Sequence, residues 1–130
     1  MKTLKGWLIT LLIPLSFLGT TACSGGANSY EQITPEQAKV LMDTQTNYVV
    51  LDVRTPQEFA EGHIEHAILI PDYQIAQQAE SKLPNKDGLI LVYCRSGRRS
   101  KIAAQELVKL GYTNVKEFGG ILDWPYRITK

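Results

Sequence analysis

The chain has 130 residues, room for one ordinary domain and not two. A hydrophobic share of 44% with 21% charged residues belongs to a folded globular protein and excludes a disordered or collagen-like one. Lysine and arginine total 14 against 13 acidic residues, so a nucleic-acid binder built on phosphate neutralisation is excluded, and two cysteines exclude a disulfide-stapled scaffold.

The N-terminus reads as an address. Lys2 and Lys5 precede an apolar run from Trp7 to Leu18, which is shorter than the roughly 20 residues a membrane-spanning helix needs. A basic start, a short apolar run and a small-residue site form a secretory signal. The site, Thr20-Thr21-Ala22-Cys23, resembles a bacterial lipobox, with Thr20 where that pattern usually has Leu. The resemblance implies cleavage after Ala22 and lipidation of Cys23; the alternative is an ordinary signal peptide cut nearby, which leaves Cys23 as a loose thiol or removes it. Residues 1–22 are then a lipoprotein-type signal peptide, and residues 23–29 are the lipidated cysteine and a flexible tether rich in Ser and Gly. Residues 30–130 form the domain. The expected location is the cell envelope, exported and lipid-anchored. In a Gram-negative cell the protein faces the periplasm, and Ser24 after the cysteine favours the outer membrane.

Within the domain, Thr34-Pro35-Glu36-Gln37 is a helix start. The Thr34 hydroxyl can accept from the Gln37 amide, Gln37 can reach back, and proline fits the first helical position. Val40 and Leu41 are expected to face the core. Tyr48-Val49-Val50-Leu51 is a short continuous β-prone run, as in a parallel strand buried on both faces. Thr55-Pro56-Gln57-Glu58 repeats the helix-start signal, and Gly62 ends that helix. Ala67 to Ile70 is a second short apolar run, stopped by Pro71. The polar stretch Asp72 to Lys82 is read as helical. Leu89 to Tyr93 is the clearest strand. Cys94 to Arg99 is a turn, and Ser100 to Leu110 is helical, with an apolar stripe of Ala103, Ala104, Leu107, Val108 and Leu110 and a stop at Gly111. Val115 to Phe118 is the last strand. Strands alternating with helices predict an α/β domain around a mainly parallel sheet.

With Cys23 assigned to lipid, Cys94 is the remaining thiol, and its surroundings point to reactivity. It follows a buried strand and precedes a helix, at the sheet edge where open α/β folds place their ligands. The loop Cys94-Arg95-Ser96-Gly97-Arg98-Arg99 carries three guanidinium groups. The following helix turns its free amides and positive dipole end toward the same place. These features favour a thiolate and a bound oxyanion. The alternative is a buried, inert cysteine beside solvated arginines.

Three blocks resemble the rhodanese-like sulfurtransferase family. They are Asp52-Val53-Arg54-Thr55-Pro56-Gln57-Glu58-Phe59 with Gly62-His63-Ile64, then Tyr93-Cys94-Arg95-Ser96-Gly97-Arg98-Arg99-Ser100, then Gly119-Gly120-Ile121-Leu122-Asp123-Trp124. Their order and spacing cover roughly residues 33–124. The resemblance implies a rhodanese-like three-layer domain, with the sheet flanked by helices. It implies sulfur transfer by double displacement. An anionic donor such as thiosulfate loads a persulfide on Cys94, and a thiophilic acceptor, a thiol or a protein, removes it. The amides of Arg95 to Ser100 cradle the persulfide, and the side chains of Arg95, Arg98 and Arg99 attract the donor. No metal and no organic cofactor is implied.

Two other classes are weighed against this one. Cysteine-dependent phosphatases and arsenate reductases on related folds place five residues between Cys and Arg. Here four separate Cys94 from Arg99, and Ser100 occupies the longer spacing. Non-catalytic rhodanese-like domains act as binding modules but usually lack the cysteine. A persulfide carrier serving a partner protein keeps it.

Asp52, Arg54, Glu58 and His63 are read as structural support for the strand end, with Arg54 and Glu58 placed to pair along the short helix. His63, Glu65 and His66 lack the further ligands a metal site needs. His66 stands where the family often has a small residue. Trp124 either lines the pocket mouth or caps the core.

Overall fold

The computed structural model describes residues 29–130. The expected signal peptide, Cys23 and the tether up to residue 28 lie outside the described residues.

The elements in chain order are β1 (Glu31–Gln32), α1 (Pro35–Thr44), β2 (Tyr48–Asp52), α2 (Pro56–Glu61), β3 (His63–Ile64) and β4 (Ile68–Leu69). A 3-10 turn (Asp72–Gln74) leads into α3 (Ile75–Lys82), then β5 (Leu89–Cys94), α4 (Arg98–Lys109) and β6 (Val115–Gly120). A second 3-10 turn (Ile121–Asp123) and β7 (Ile128–Thr129) close the chain. The main sheet runs β1-β6-β5-β2-β4, and every neighbouring pair is parallel. β3 and β7 form a separate antiparallel pair. This is the α/β architecture the alternating pattern predicts.

Both helix starts are capping boxes. The Thr34 hydroxyl accepts from the Gln37 amide at 3.1 Å, and the Gln37 side chain accepts from the Thr34 amide at 2.9 Å. Thr55 and Glu58 repeat the arrangement at 3.2 and 3.3 Å. Each box satisfies two amides that the helix itself leaves unpaired.

Val40 corrects an expectation. It is 59% exposed, while Ala38 is buried and Leu41 and Met42 pack on the core. Residues three and four apart share a helix face, and Val40 sits two from Ala38, on the other side.

The central strand β5 is buried on both faces, and its two-residue alternation sorts the core into two layers. On β5, Ile90, Val92 and Cys94 face the layer that holds α3 and α4, with Ala79, Ala103, Ala104 and Leu107. Leu89, Leu91 and Tyr93 face the opposite layer, with Ala38, Ile64, Phe118 and Trp124. Cys94 and Tyr93 are adjacent in sequence and lie on opposite sides of the sheet.

Helix α4 begins two residues before the expected Ser100. Gly97 takes φ +103, a left-handed turn that favours glycine, and the helix starts directly after it. Arg98 and Arg99 therefore sit in the first helical turn. The helix stops as expected at Gly111, whose N–H donates to Val108 O at 3.0 Å, with Tyr112 N–H donating to Leu107 O at 3.1 Å. His66 holds φ +66, the left-handed region where glycine fits more easily, which gives a backbone reason for a small residue there.

Candidate active site

Cys94 is the last residue of β5 and is wholly buried. Opposite it on β6 stands Gly120, across an irregularity in the register. A Cβ on Gly120 would fall 1.9 Å from the carbonyl oxygen of Arg95. Only glycine lets the end of β6 press against the backbone of the loop after Cys94. The Leu122 amide donates to the same Arg95 carbonyl at 3.2 Å and fastens the loop from the other side of that contact.

Two groups address the sulfur. The Gly97 N–H donates to Cys94 Sγ at 3.0 Å, and Ser100 Oγ lies 3.3 Å from it. Gly97 is the cap of α4, so its amide and the dipole of a twelve-residue helix converge on the thiol. This partly answers the expectation of a cradle of amides from Arg95 to Ser100. Gly97 supplies the amide contact to Sγ. Ser100 contributes its hydroxyl and is buried beside the thiol, with Glu117 Oε1 at 2.6 Å and Gly97 O at 3.0 Å both within reach of its one hydrogen.

The three arginines separate. Arg99 is half-buried and bound in bidentate fashion to Glu58, at 2.7 and 2.9 Å. Those bonds, with smaller help from Thr55 and against the cost of burial, hold the Glu58 carboxyl down at about 2. The same bonds raise Arg99 above its ordinary value. Arg95, Ser96 and Arg98 are exposed, and among the described residues neither Arg95 nor Arg98 belongs to an ion pair. Two guanidinium groups are available to an anion, rather than three.

The expected Arg54–Glu58 pair does not form. Arg54 precedes α2 and folds back on Asp52, donating from Nη2 to Oδ2 at 2.7 Å and from Nε to both carboxylate oxygens at 3.0 Å. It also donates to Gly62 O at 2.7 Å. Burial opposes its charge, but the bonds and charge of Asp52 outweigh burial and raise it. Tyr93 completes the cluster. Its hydroxyl donates to Asp52 Oδ2 at 2.6 Å and accepts from Ile64 N–H at 3.0 Å. Burial, together with the Asp52 carboxylate, pushes its phenol well up. The cluster lies across the sheet from the thiol and ties the end of β2 to the ends of α2 and β5.

His63 stacks on Phe59, ring centres 3.8 Å apart, and its Nδ1 sits 2.9 Å from Phe59 O. His66 is exposed beside Glu65. Trp124 is 8% exposed, packs on Phe118 and donates to Arg127 O at 3.3 Å, so it caps the core. Among the described residues no three His, Cys, Asp or Glu side chains converge to hold a metal.

The family model for the rhodanese-like domain matches residues 34–125, which spans the strand, loop and closing turn just described. The chain belongs to the rhodanese-like domain family. It is 36% identical over 73 residues to the thiosulfate sulfurtransferase PspE of Escherichia coli, covering 56% of this chain and 70% of that protein. It is 34% identical over 93 residues to the thiosulfate sulfurtransferase GlpE of Pseudomonas entomophila, covering 72% and 82%. A solved Escherichia coli rhodanese with bound anions superposes with a TM-score of 0.61 at 32% identity, covering 64% of this chain and 98% of that one. These rhodanese relatives support sulfurtransferase activity in general.

Sequence reasoning missed Glu117 and Tyr93. Glu117 carried a signal: it falls two residues after Val115, on the strand face that must be buried against α4. Tyr93 read as a strand residue and the head of the loop block, with no role of its own, and its partner is 41 positions away.

Proposed function

We propose that this protein moves sulfane sulfur from a thiosulfate-like anion through a persulfide on Cys94 to a thiophilic acceptor. The observation that carries this reading is the Gly97 amide aimed at Cys94 Sγ at 3.0 Å from the start of α4, in a loop whose Arg95 and Arg98 are exposed and, among the described residues, in no ion pair.

The chemistry balances in two displacements. The Cys94 thiolate attacks the outer sulfur of thiosulfate. A sulfur–sulfur bond forms at Sγ, the bond to the sulfonate sulfur breaks, and sulfite leaves with its electron pair. The persulfide now carries the negative charge. The acceptor, cyanide in a test, attacks the outer sulfur, forms thiocyanate and returns the Cys94 thiolate. The loop favours both anions through the helix end and the Gly97 amide. Its short reach, with four residues between Cys94 and Arg99, suits a persulfide better than a phosphate or arsenate oxyanion.

We also propose that the protein works in the cell envelope, held by a lipid on Cys23. This rests on the signal pattern of residues 1–23 alone.

Intact mass before and after thiosulfate tests the mechanism. The expected result is gain of one sulfur on the parent protein, none on Cys94→Ser, and discharge by cyanide as thiocyanate. Absence of gain with thiosulfate, polysulfide and a protein persulfide alike overturns it in favour of a binding module. Cys94-dependent turnover of phosphomonoesters in place of sulfur loading overturns it in favour of a phosphatase.

A further inference from the structure

Glu117 is the buried ionisable group that the displacement chemistry leaves without a use. It is 2% exposed, on β6, directly behind the active-site loop. Its Oε1 accepts from Ser100 Oγ at 2.6 Å and from Gly119 N–H at 2.8 Å. Among the described residues no cation pairs with it. Burying a carboxylate without a cation is costly, so its retention calls for a function.

Ser100 has one hydroxyl hydrogen and four neighbours within reach: Glu117 Oε1 at 2.6 Å, Gly97 O at 3.0 Å, Gly119 O at 3.3 Å and Cys94 Sγ at 3.3 Å. The shortest contact is to a carboxylate, and a charge-assisted bond is the strongest of the four. Ser100 therefore donates to Glu117 and offers Cys94 a lone pair. The thiol hydrogen donates to Ser100 Oγ. The result is a continuous chain from thiol to hydroxyl to carboxylate.

We propose that Glu117, acting through Ser100, takes up the proton of Cys94 and so makes the thiolate that attacks the donor. This rests on the reading of Cys94 as the sulfur carrier. The bond between Sγ and its hydrogen breaks as that proton moves to Ser100 Oγ. The hydroxyl proton of Ser100 moves in the same step to Glu117 Oε1. No net charge enters or leaves the buried site. The negative charge passes from the carboxylate to Sγ, where Gly97 N–H and the start of α4 receive it. The re-formed Ser100 hydroxyl then donates to the thiolate. When the acceptor discharges the persulfide, the thiolate returns and the proton can run back. Ser100 touches the reacting sulfur, and Glu117 is a positioning residue that acts through it.

The other charged groups around the thiol are accounted for. Arg99 of α4 feels the charge of Cys94, but Glu58 of α2 holds it, and Asp72 of the 3-10 turn faces it. Asp52, Arg54 and Tyr93 lie across the sheet.

The competing explanation is that Glu117 only holds the turn at Gly119. Glu117→Gln separates the two, because glutamine keeps an oxygen for Gly119 N–H and for Ser100 but takes up no proton. Ser100→Ala breaks the chain at its middle and decides the matter if the glutamine variant fails to fold. The readout is the rate of Cys94 alkylation by iodoacetamide at neutral pH, assigned by peptide mass, with thermal melting as the check on folding. We expect the glutamine variant to melt near the parent, the alanine variant to melt lower but still fold, and both to alkylate about tenfold more slowly, equivalent to one pH unit of thiolate population. We expect the deficit to close in alkali, where hydroxide takes the proton directly. A glutamine variant that alkylates within about twofold of the parent, or faster, overturns the proposal. Alkylation needs no sulfur donor. A parent protein that alkylates but takes no sulfur therefore refutes the sulfurtransferase reading while the relay is still measured.

Discussion

Replacing Glu58 by glutamine tests how the active-site helix is held. Glu58 of α2 binds Arg99, the second residue of α4, across 41 positions of sequence, so this pair joins two elements that flank the active-site loop. The carboxyl is held at about 2 against an ordinary 4.5, which sets a ceiling near 3 kcal/mol on what the ionised form contributes to folding. The side chains are 23% and 29% exposed, so water screens the pair, and a contribution of about 1–2 kcal/mol is the working figure. Glutamine can still cap Thr55, so the loss reports the charge rather than the capping box. A loss of about 1–2 kcal/mol in a domain of this size lowers Tm by roughly 4–16 °C. The sign with pH follows from a depressed carboxyl. Its contribution is complete above the ordinary value of 4.5 and is lost as pH falls toward about 2. Urea unfolding of parent and Glu58→Gln at neutral pH and in acid measures both the gap and its closure. A gap below about 0.3 kcal/mol at neutral pH, or one that persists unchanged in acid, refutes this account of the pair.

Gly120→Ala places a Cβ 1.9 Å from Arg95 O, so the loop backbone must move by more than an ångström. Sulfur loading of Cys94, followed by intact mass, is expected to slow by about 100-fold, the usual cost of a misplacement of that size in an active site. Tyr93→Phe removes the hydroxyl that donates to Asp52 and accepts from Ile64, which is expected to cost about 1–3 kcal/mol in urea unfolding. Because that cluster lies across the sheet, the alkylation rate of Cys94 is expected to stay within about twofold of the parent.

Much of the architecture was legible because its causes are local. Thr34 and Thr55 each carry their capping partner three residues on, and both boxes form as read. Leu89 to Tyr93 is too apolar to be anything but a central strand. The glycine at position 97 marks the sharp turn into α4, although the helix begins sooner than its apolar stripe implied. Val40 was misplaced because two adjacent apolar residues, Val40 and Leu41, do not by themselves say which of them faces inward.

The site was legible in outline and not in its connections. A lone cysteine after a buried strand, followed by a basic loop with a glycine, locates a candidate site without any structure. The partners of its charges were not readable. Arg54 is nearer in sequence to Asp52 than to Glu58 and folds back toward it, since α2 begins after Arg54 and directs Glu58 elsewhere. Glu58 and Arg99 meet because α2 and α4 approach each other beside the loop, and no spacing rule connects positions 41 apart.

Sequence alone determined the two helix starts at Thr34 and Thr55, the central strand from Leu89 to Tyr93 and the glycine turn before α4. Each of these follows from interactions within a few residues or from the period of a single strand or helix. Tertiary structure alone decided that Arg99 is neutralised while Arg95 and Arg98 are open, that Asp52, Arg54 and Tyr93 stand across the sheet from the thiol, and that Glu117 lies behind Ser100. Those outcomes depend on strand order and on the alternation of faces between paired strands. The first needs α2 beside α4, the second β2 beside β5, and the third β6 beside β5.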